Sequence, residues 1–213
     1  MTIIGQNYTY HQQLKKFIIA FGNLFSGISI QKQEKSGKRH ADYTVPVAYA
    51  PKNKWVARQQ EQPDLLAPQV EIPIPRITFE MVNLQYAGER KIGFNGAYVI
   101  GNINGKRSKI FSPAPWDATF NLYVYTKDQT DSNQILEQIL PFFQPTLMLN
   151  YEVLSEYQIK KDVPITILDV KIDDSYQGSP DEHREVIQTI QFSTQLDFFG
   201  PAPSSSKIIK DAI

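Results

Sequence analysis

The residues best suited to acid–base or metal chemistry in this 213-residue chain are its 3 histidines, and they stand far apart as His11, His40 and His183. None belongs to an HExxH pair or adjoins a Gly-x-Ser-x-Gly elbow, so neither a zinc hydrolase nor a serine hydrolase is announced. Only His183 has acidic neighbours, in DDSYQGSPDEH. That stretch begins like a calcium loop, with Asp173, Ser175, Gln177 and Gly178 at the first, third, fifth and sixth positions. Its twelfth position holds Arg184, where a calcium loop needs a bidentate glutamate, and the flanking pattern makes it a turn between strands. Asp173 and Asp174 are adjacent, and adjacent strand residues point to opposite faces, so they do not converge as an acid–base pair. GFNG and GNING lack the Lys-Ser/Thr and the helix that complete a phosphate loop. There is no cysteine, which excludes disulfides and cysteine-ligated zinc. No catalytic residue, metal ligand or cofactor is expected.

One cluster fits binding better than catalysis. Lys106, Arg107 and Lys109 lie beside Tyr98 and Phe111, a basic and aromatic combination that can track a nucleic-acid strand. The charge balance weighs against it. Lys plus Arg number 22 and Asp plus Glu number 22, a formal net charge of zero, whereas sequence-independent nucleic-acid binding draws on a basic excess. A contact with a protein partner is the favoured reading, and a nucleic-acid-binding module using this basic–aromatic arm is the alternative. Neutrality also leaves little long-range repulsion between copies, which favours assembly.

The elements that would position these residues read as α+β. Tyr10, Leu14, Phe17, Ile18, Phe21, Leu24 and Phe25 recur on one helical face, predicting an amphipathic helix over Tyr8–Phe25 instead of a targeting segment. His11 falls on that helix, and Gln31 to Asp42 reads as a solvated hairpin or loop. Thr44 to Pro51 is a strand, and Pro51 suits the start of a two-turn helix carrying Trp55 and Arg58. Ile74 to Tyr86 is a long strand whose apolar face switches between Met81 and Val82, predicting a bulge. AYVI and SKIF form the two sides of a projecting, Gly-rich β-arm. Trp116 to Lys127 alternates, with Ala118, Phe120, Leu122 and Val124 on one face. A second helix follows over Thr130–Leu140, with Asp131 and Gln134 as one capping option and Ile135, Leu136, Ile139, Leu140 and Phe143 as its stripe. Pro141 ends it. Whether Phe142 and Phe143 both face inward, or one is left for a neighbour, stays open. The last third is strand-rich: TLMLNYEVL, then a hairpin of VPITILDVKIDDSY and REVIQTIQFSTQLDFF across QGSPDEH. KIIKDAI is a tail with no evident core to join. No run reaches the ~18 apolar residues of a membrane span.

Taken in order, FGNLFSGISIQKQ, VPVAYAPK, IPIPRITFEMVNLQY, NLYVYTKDQTDSNQILEQILPFFQP, DVPITILDVKIDDSYQG and REVIQTIQFSTQLDFFGP resemble the tail sheath stabiliser and completion proteins of T-even-type contractile-tailed bacteriophages. QILEQILPFFQP is the most specific of them, and Pro75-Arg76 the next. The resemblance spans Tyr8 to Pro201 apart from the arm and the tail. It implies a structural virion protein of the tail neck, assembled in the host cytoplasm, that catalyses nothing. It further implies a homohexameric ring contacting the tail tube terminator, the tail sheath protein and head-completion proteins, with phage DNA passing through its channel without specific binding and no membrane involved. The expected architecture is one α+β domain over 1–203, a mainly antiparallel sheet with two principal helices on one face, with an arm insertion over 88–115 and a tail over 204–213. Trp55, Arg58, Phe94, Tyr98, Arg107, Phe111, Phe142 and Phe143 are the candidate interface residues.

Overall fold

A computed structural model describes residues 10–33, 39–52, 74–93, 96–101, 106–155, 158–175, 185–200 and 206–207. Its centre is a six-stranded sheet in the order β3 (Val47–Tyr49), β4 (Arg76–Tyr86), β7 (Ala114–Thr126), β10 (Glu185–Phe198), β9 (Ile159–Ser175), β8 (Thr146–Leu154). All pairings are antiparallel except the short β3–β4 edge. A hairpin of β1 (Ser29–Gln33) and β2 (Arg39–Thr44) and the arm strands β5 (Ala97–Gly101) and β6 (Lys106–Phe111) lie outside this sheet. Gln31 to Asp42, expected as a hairpin or loop, thus has paired strands at both ends, and the strand expected over Thr44 to Pro51 is confined to Val47–Tyr49.

The alternation of β7 sets the layers. Ala118, Phe120, Leu122 and Val124 are fully buried on one face, while Tyr123 and Tyr125 pack with Ile74 and Ile187 in a separate small cluster. Both helices cover the first face. Helix α1 (Gln13–Asn23) is shorter than its apolar pattern, so His11 precedes it. Phe17, Phe21 and Phe25 descend from its inner side, and Phe21 stacks on Phe120 at 4.8 Å and meets Phe79 and Phe192 at 5.4 and 5.7 Å. Each such ring contributes about 1.5–3 kcal/mol by leaving water. Gly22 makes this approach close: a Cβ there would lie 2.8 Å from the Phe79 ring.

Helix α2 (Gln129–Ile139) starts one residue earlier than expected, with Asp128 at its N-cap and not Asp131, which is buried in the first turn. Ile135 and Ile139 are buried as expected. Leu140 is not: Pro141 converts the end into a 3-10 turn over Leu140–Phe142, and Leu140 is left 38% exposed. Gln134 and Gln138, which lie outside the apolar stripe, hold β1. Gln138 Nε2 donates to Ser29 O (2.7 Å) and its Oε1 accepts from Ser29 N (3.3 Å), and Gln134 does the same at Gln31 (3.3 and 3.0 Å). A carboxamide carries one donor side and one acceptor, so each glutamine replaces a missing strand partner. Gln13 repeats the device at the end of β10, exchanging two 2.9 Å bonds with the backbone of Phe199.

The predicted face switch in β4 is a bulge. Met81 opposes Phe120 and Asn83 opposes Thr119, which leaves Val82 as the extra residue. Its effect differs from the expectation of two apolar faces: the bulge returns Leu84 to the core side, opposite Ala118, and Tyr86 opposite Trp116. Leu168 is the matching extra residue of β9, between Ile167 opposite Phe192 and Asp169 opposite Gln191. The tail also departs from its expectation. Ser206–Lys207 forms strand β11, which pairs antiparallel with β6.

Candidate interaction surfaces

Pairing gathers the chain's extensions at one end of the sheet. Tyr86 of β4 opposes Trp116, and Phe198, the last residue of β10, opposes Ala114 at the start of β7. The arm therefore departs, and the chain leaves β10, within a few residues of each other. The N-terminus of α1 is tied to the same end through Gln13 and Phe199.

A half-buried charge network fixes the base of the arm. Arg90 ends a 3-10 turn after β4, and its guanidinium donates to Trp116 O at 2.8 Å, Asp117 Oδ1 at 2.7 Å and Asp197 Oδ1 at 3.3 Å. The other oxygen of Asp197 meets the Lys161 ammonium. Burial, with the Arg90 charge adding to it, pushes the Lys161 pKa down. The two strands of the arm join above this network at Gly96, whose carbonyl accepts from Ser112 N (2.9 Å) and Oγ (2.8 Å). A Cβ on Gly96 would fall 2.3 Å from that hydroxyl, so a larger residue would turn the Ser112 side chain out of its bond. From there Ala97 pairs with Phe111 and Gly101 with Arg107. The arm is not wholly detached, because Ile110 is buried in the main core. Tyr86, Ile92 and Phe111 are half-exposed around its base, with Tyr86 edge-on to Trp116 at 5.7 Å.

The second surface is the 3-10 turn after α2. Phe143 is 9% exposed and packs on Phe192 at 5.1 Å, whereas Phe142 is 68% exposed. The adjacent pair thus divides into one core residue and one outward knob, with the half-exposed Leu140 beside it.

Trp55, Arg58 and Phe94 lie outside the described residues, as do the side chains of Tyr98, Arg107, Lys106 and Lys109 and the turn containing Gln177, Gly178, His183 and Arg184. Among the described residues no group of His, Asp or Glu is arranged to hold a metal ion, and no helix is long and apolar enough to cross a membrane. The sequence reading missed Arg90, Asp117 and Asp197, which are separated along the chain and meet only through strand register.

Comparison with known proteins matches residues 8–213 to the family described as the T4-like virus Myoviridae tail sheath stabiliser. That range runs on through the arm and the tail, further than the resemblant motifs alone. The chain is also 26% identical over 212 residues to the tail completion protein gp15 of Enterobacteria phage T4, covering 95% of this chain and 76% of that protein. Neither similarity describes a nucleic-acid-binding module.

Proposed function

The chain belongs to the tail sheath stabiliser family of T4-like Myoviridae, structural components of the virion tail, and on that footing we propose that it completes the head-proximal end of a contractile tail as a homohexameric ring. The observation that carries this reading is the family match over residues 8–213, which takes in sheet, helices, arm and tail alike. The ring caps the tail tube terminator and the last ring of sheath protein, holds the extended sheath, and offers head-completion proteins a docking surface. It catalyses no reaction. Its mechanism is geometric: a head-to-tail interface between identical subunits closes when its rotation matches the symmetry of the ring beneath.

Such a ring needs two different surfaces on each subunit, and the arm base and the Phe142 turn are the two proposed here. Phage DNA passes through the channel without specific binding, in keeping with a formal net charge of zero. Assembly takes place in the host cytoplasm. Light scattering or mass photometry of the purified protein, combined with images of sheathed tails, tests the proposal. Hexamers, or monomers that join into sixfold rings on tail ends, are expected. A protein that stays monomeric at high concentration and does not bind sheathed tails overturns it.

A further inference from the structure

Two side-chain clamps grip the end of β10 within two residues of each other. At Asp197 the carboxylate takes Arg90 of the arm root on one oxygen (3.3 Å) and Lys161 of β9 on the other. At Phe199 the backbone exchanges two 2.9 Å hydrogen bonds with the Gln13 carboxamide, in the first turn of α1. Extended backbone separates these two points by about 7 Å. The residue between them is held as well, because Phe198 pairs with Ala114 and packs, with Phe199, against the main core.

The contacts close into a belt around this end of the sheet. Lys16, nearly one turn along α1 from Gln13, donates to Ser155 Oγ (2.8 Å) and Val153 O (3.3 Å) at the end of β8. Strand β8 pairs with β9, Tyr151 opposite Lys161, and Lys161 returns to Asp197. Arg90 joins the belt from the arm side and also grips the start of β7 at Trp116 O and Asp117. Asp197 is 11% exposed and serves both cations, so loss of its charge sets Arg90 and Lys161 against each other in a half-buried place.

We propose that the Asp197–Phe199 end of β10 is a coupling strut between the arm and helix α1, so that a partner bound at the arm is felt at the start of that helix. Arg90 delivers the displacement, Asp197 and Phe199 carry it, and Gln13 receives it. The device belongs to the single subunit and stands apart from the ring reading.

Hydrogen exchange of the full-length protein, read by mass spectrometry in separate peptides, tests the strut. Arg90→Gln removes the arm-side charge and Asp197→Asn the central one, and either variant that folds gives the reading. Exchange over Gln13–Phe17 is expected to quicken by about fivefold or more, the lower end of ordinary coupling between sites, while the centre of β7 and β10 keeps its wild-type rate. A quickening confined to the arm root, or below that size at α1, overturns the strut and leaves Arg90 a local clasp. Equal quickening at α1 and at the Phe120–Phe192 centre is loss of the whole fold, and overturns it likewise. On a Gln13→Ala background the Arg90 substitution should add nothing at α1, and an additive effect overturns the route through Phe199. None of these readings depends on rings forming.

Discussion

Gly22 is the residue where helix and sheet come nearest, and its missing side chain is what allows it. Alanine is ordinarily the better helix former by about 1 kcal/mol. Here its methyl would press on the buried ring of Phe79 from 2.8 and 2.9 Å, and that ring is held by Phe21 and Tyr49. Overpacking of this kind costs about 1–3 kcal/mol, which outweighs the helical gain. Gly22→Ala is therefore expected to be net destabilising in urea denaturation, and the double variant with Phe79→Leu to recover part of the loss. Tyrosines give a second test at this scale. Burial pushes both Tyr123 and Tyr151 up to about 12, and Tyr123 also donates a 2.7 Å hydrogen bond to Glu80. An unfolded tyrosine ionises near 10, so the native state holds these protons more tightly than the unfolded chain. Their stabilising contribution is complete below about pH 10 and is lost as pH rises from there towards about 12. The urea midpoint should fall across that window, and the fall should be shallower in Tyr123→Phe. A midpoint that stays flat to pH 12 contradicts the assignment.

Strands and helices respond to register more than to single contacts, and β4 makes this measurable. Val82 is the extra residue of its bulge and is exposed. Deleting it leaves Ile77, Phe79, Met81 and Leu84 all opposite core residues of β7. Deleting Glu80 instead also absorbs the bulge, but it places Met81 outward opposite Asn121 and the smaller Val82 inward opposite Phe120. Thermal melts should show the Val82 deletion folded with a melting point lowered by several degrees, and the Glu80 deletion lowered further because Val82 then stands where Met81 packed on the core. The position of this bulge was legible in the sequence because two apolar runs of opposite parity abut there. The alternation of β7 and the apolar face of α1 were legible for the same reason, a period that only one geometry satisfies. The roles of Gln13, Gln134 and Gln138 were not, since a glutamine bonding to a backbone edge is spelled like one bonding to water. Leu140 was misplaced because the helical period was carried one residue into the 3-10 turn. The Arg90 network lay beyond local reading altogether: Asp117 and Asp197 reach it through pairings set far along the chain.

At the scale of the whole molecule the aromatics divide into a set that builds the core of the subunit and a set that stays exposed, on which the proposed interface draws. Phe142 and Phe143 hold both roles in consecutive positions, which makes them a control for each other. Phe143→Ala removes a ring packed on Phe192 and should cost about 3–5 kcal/mol, read in urea denaturation. Phe142→Ser removes a ring that is 68% exposed in the subunit, and surface changes of that kind usually stay within about 0.5 kcal/mol. If the turn is an interface, its loss appears only on assembly: an aromatic anchor buried between proteins is worth about 2 kcal/mol or more, some thirtyfold in affinity. Purified Phe142→Ser protein mixed with sheathed tails should then show a wild-type melting curve and a clearly reduced occupancy of tail ends. Wild-type occupancy would remove Phe142 from the proposed interface and leave the arm base as the proposed surface.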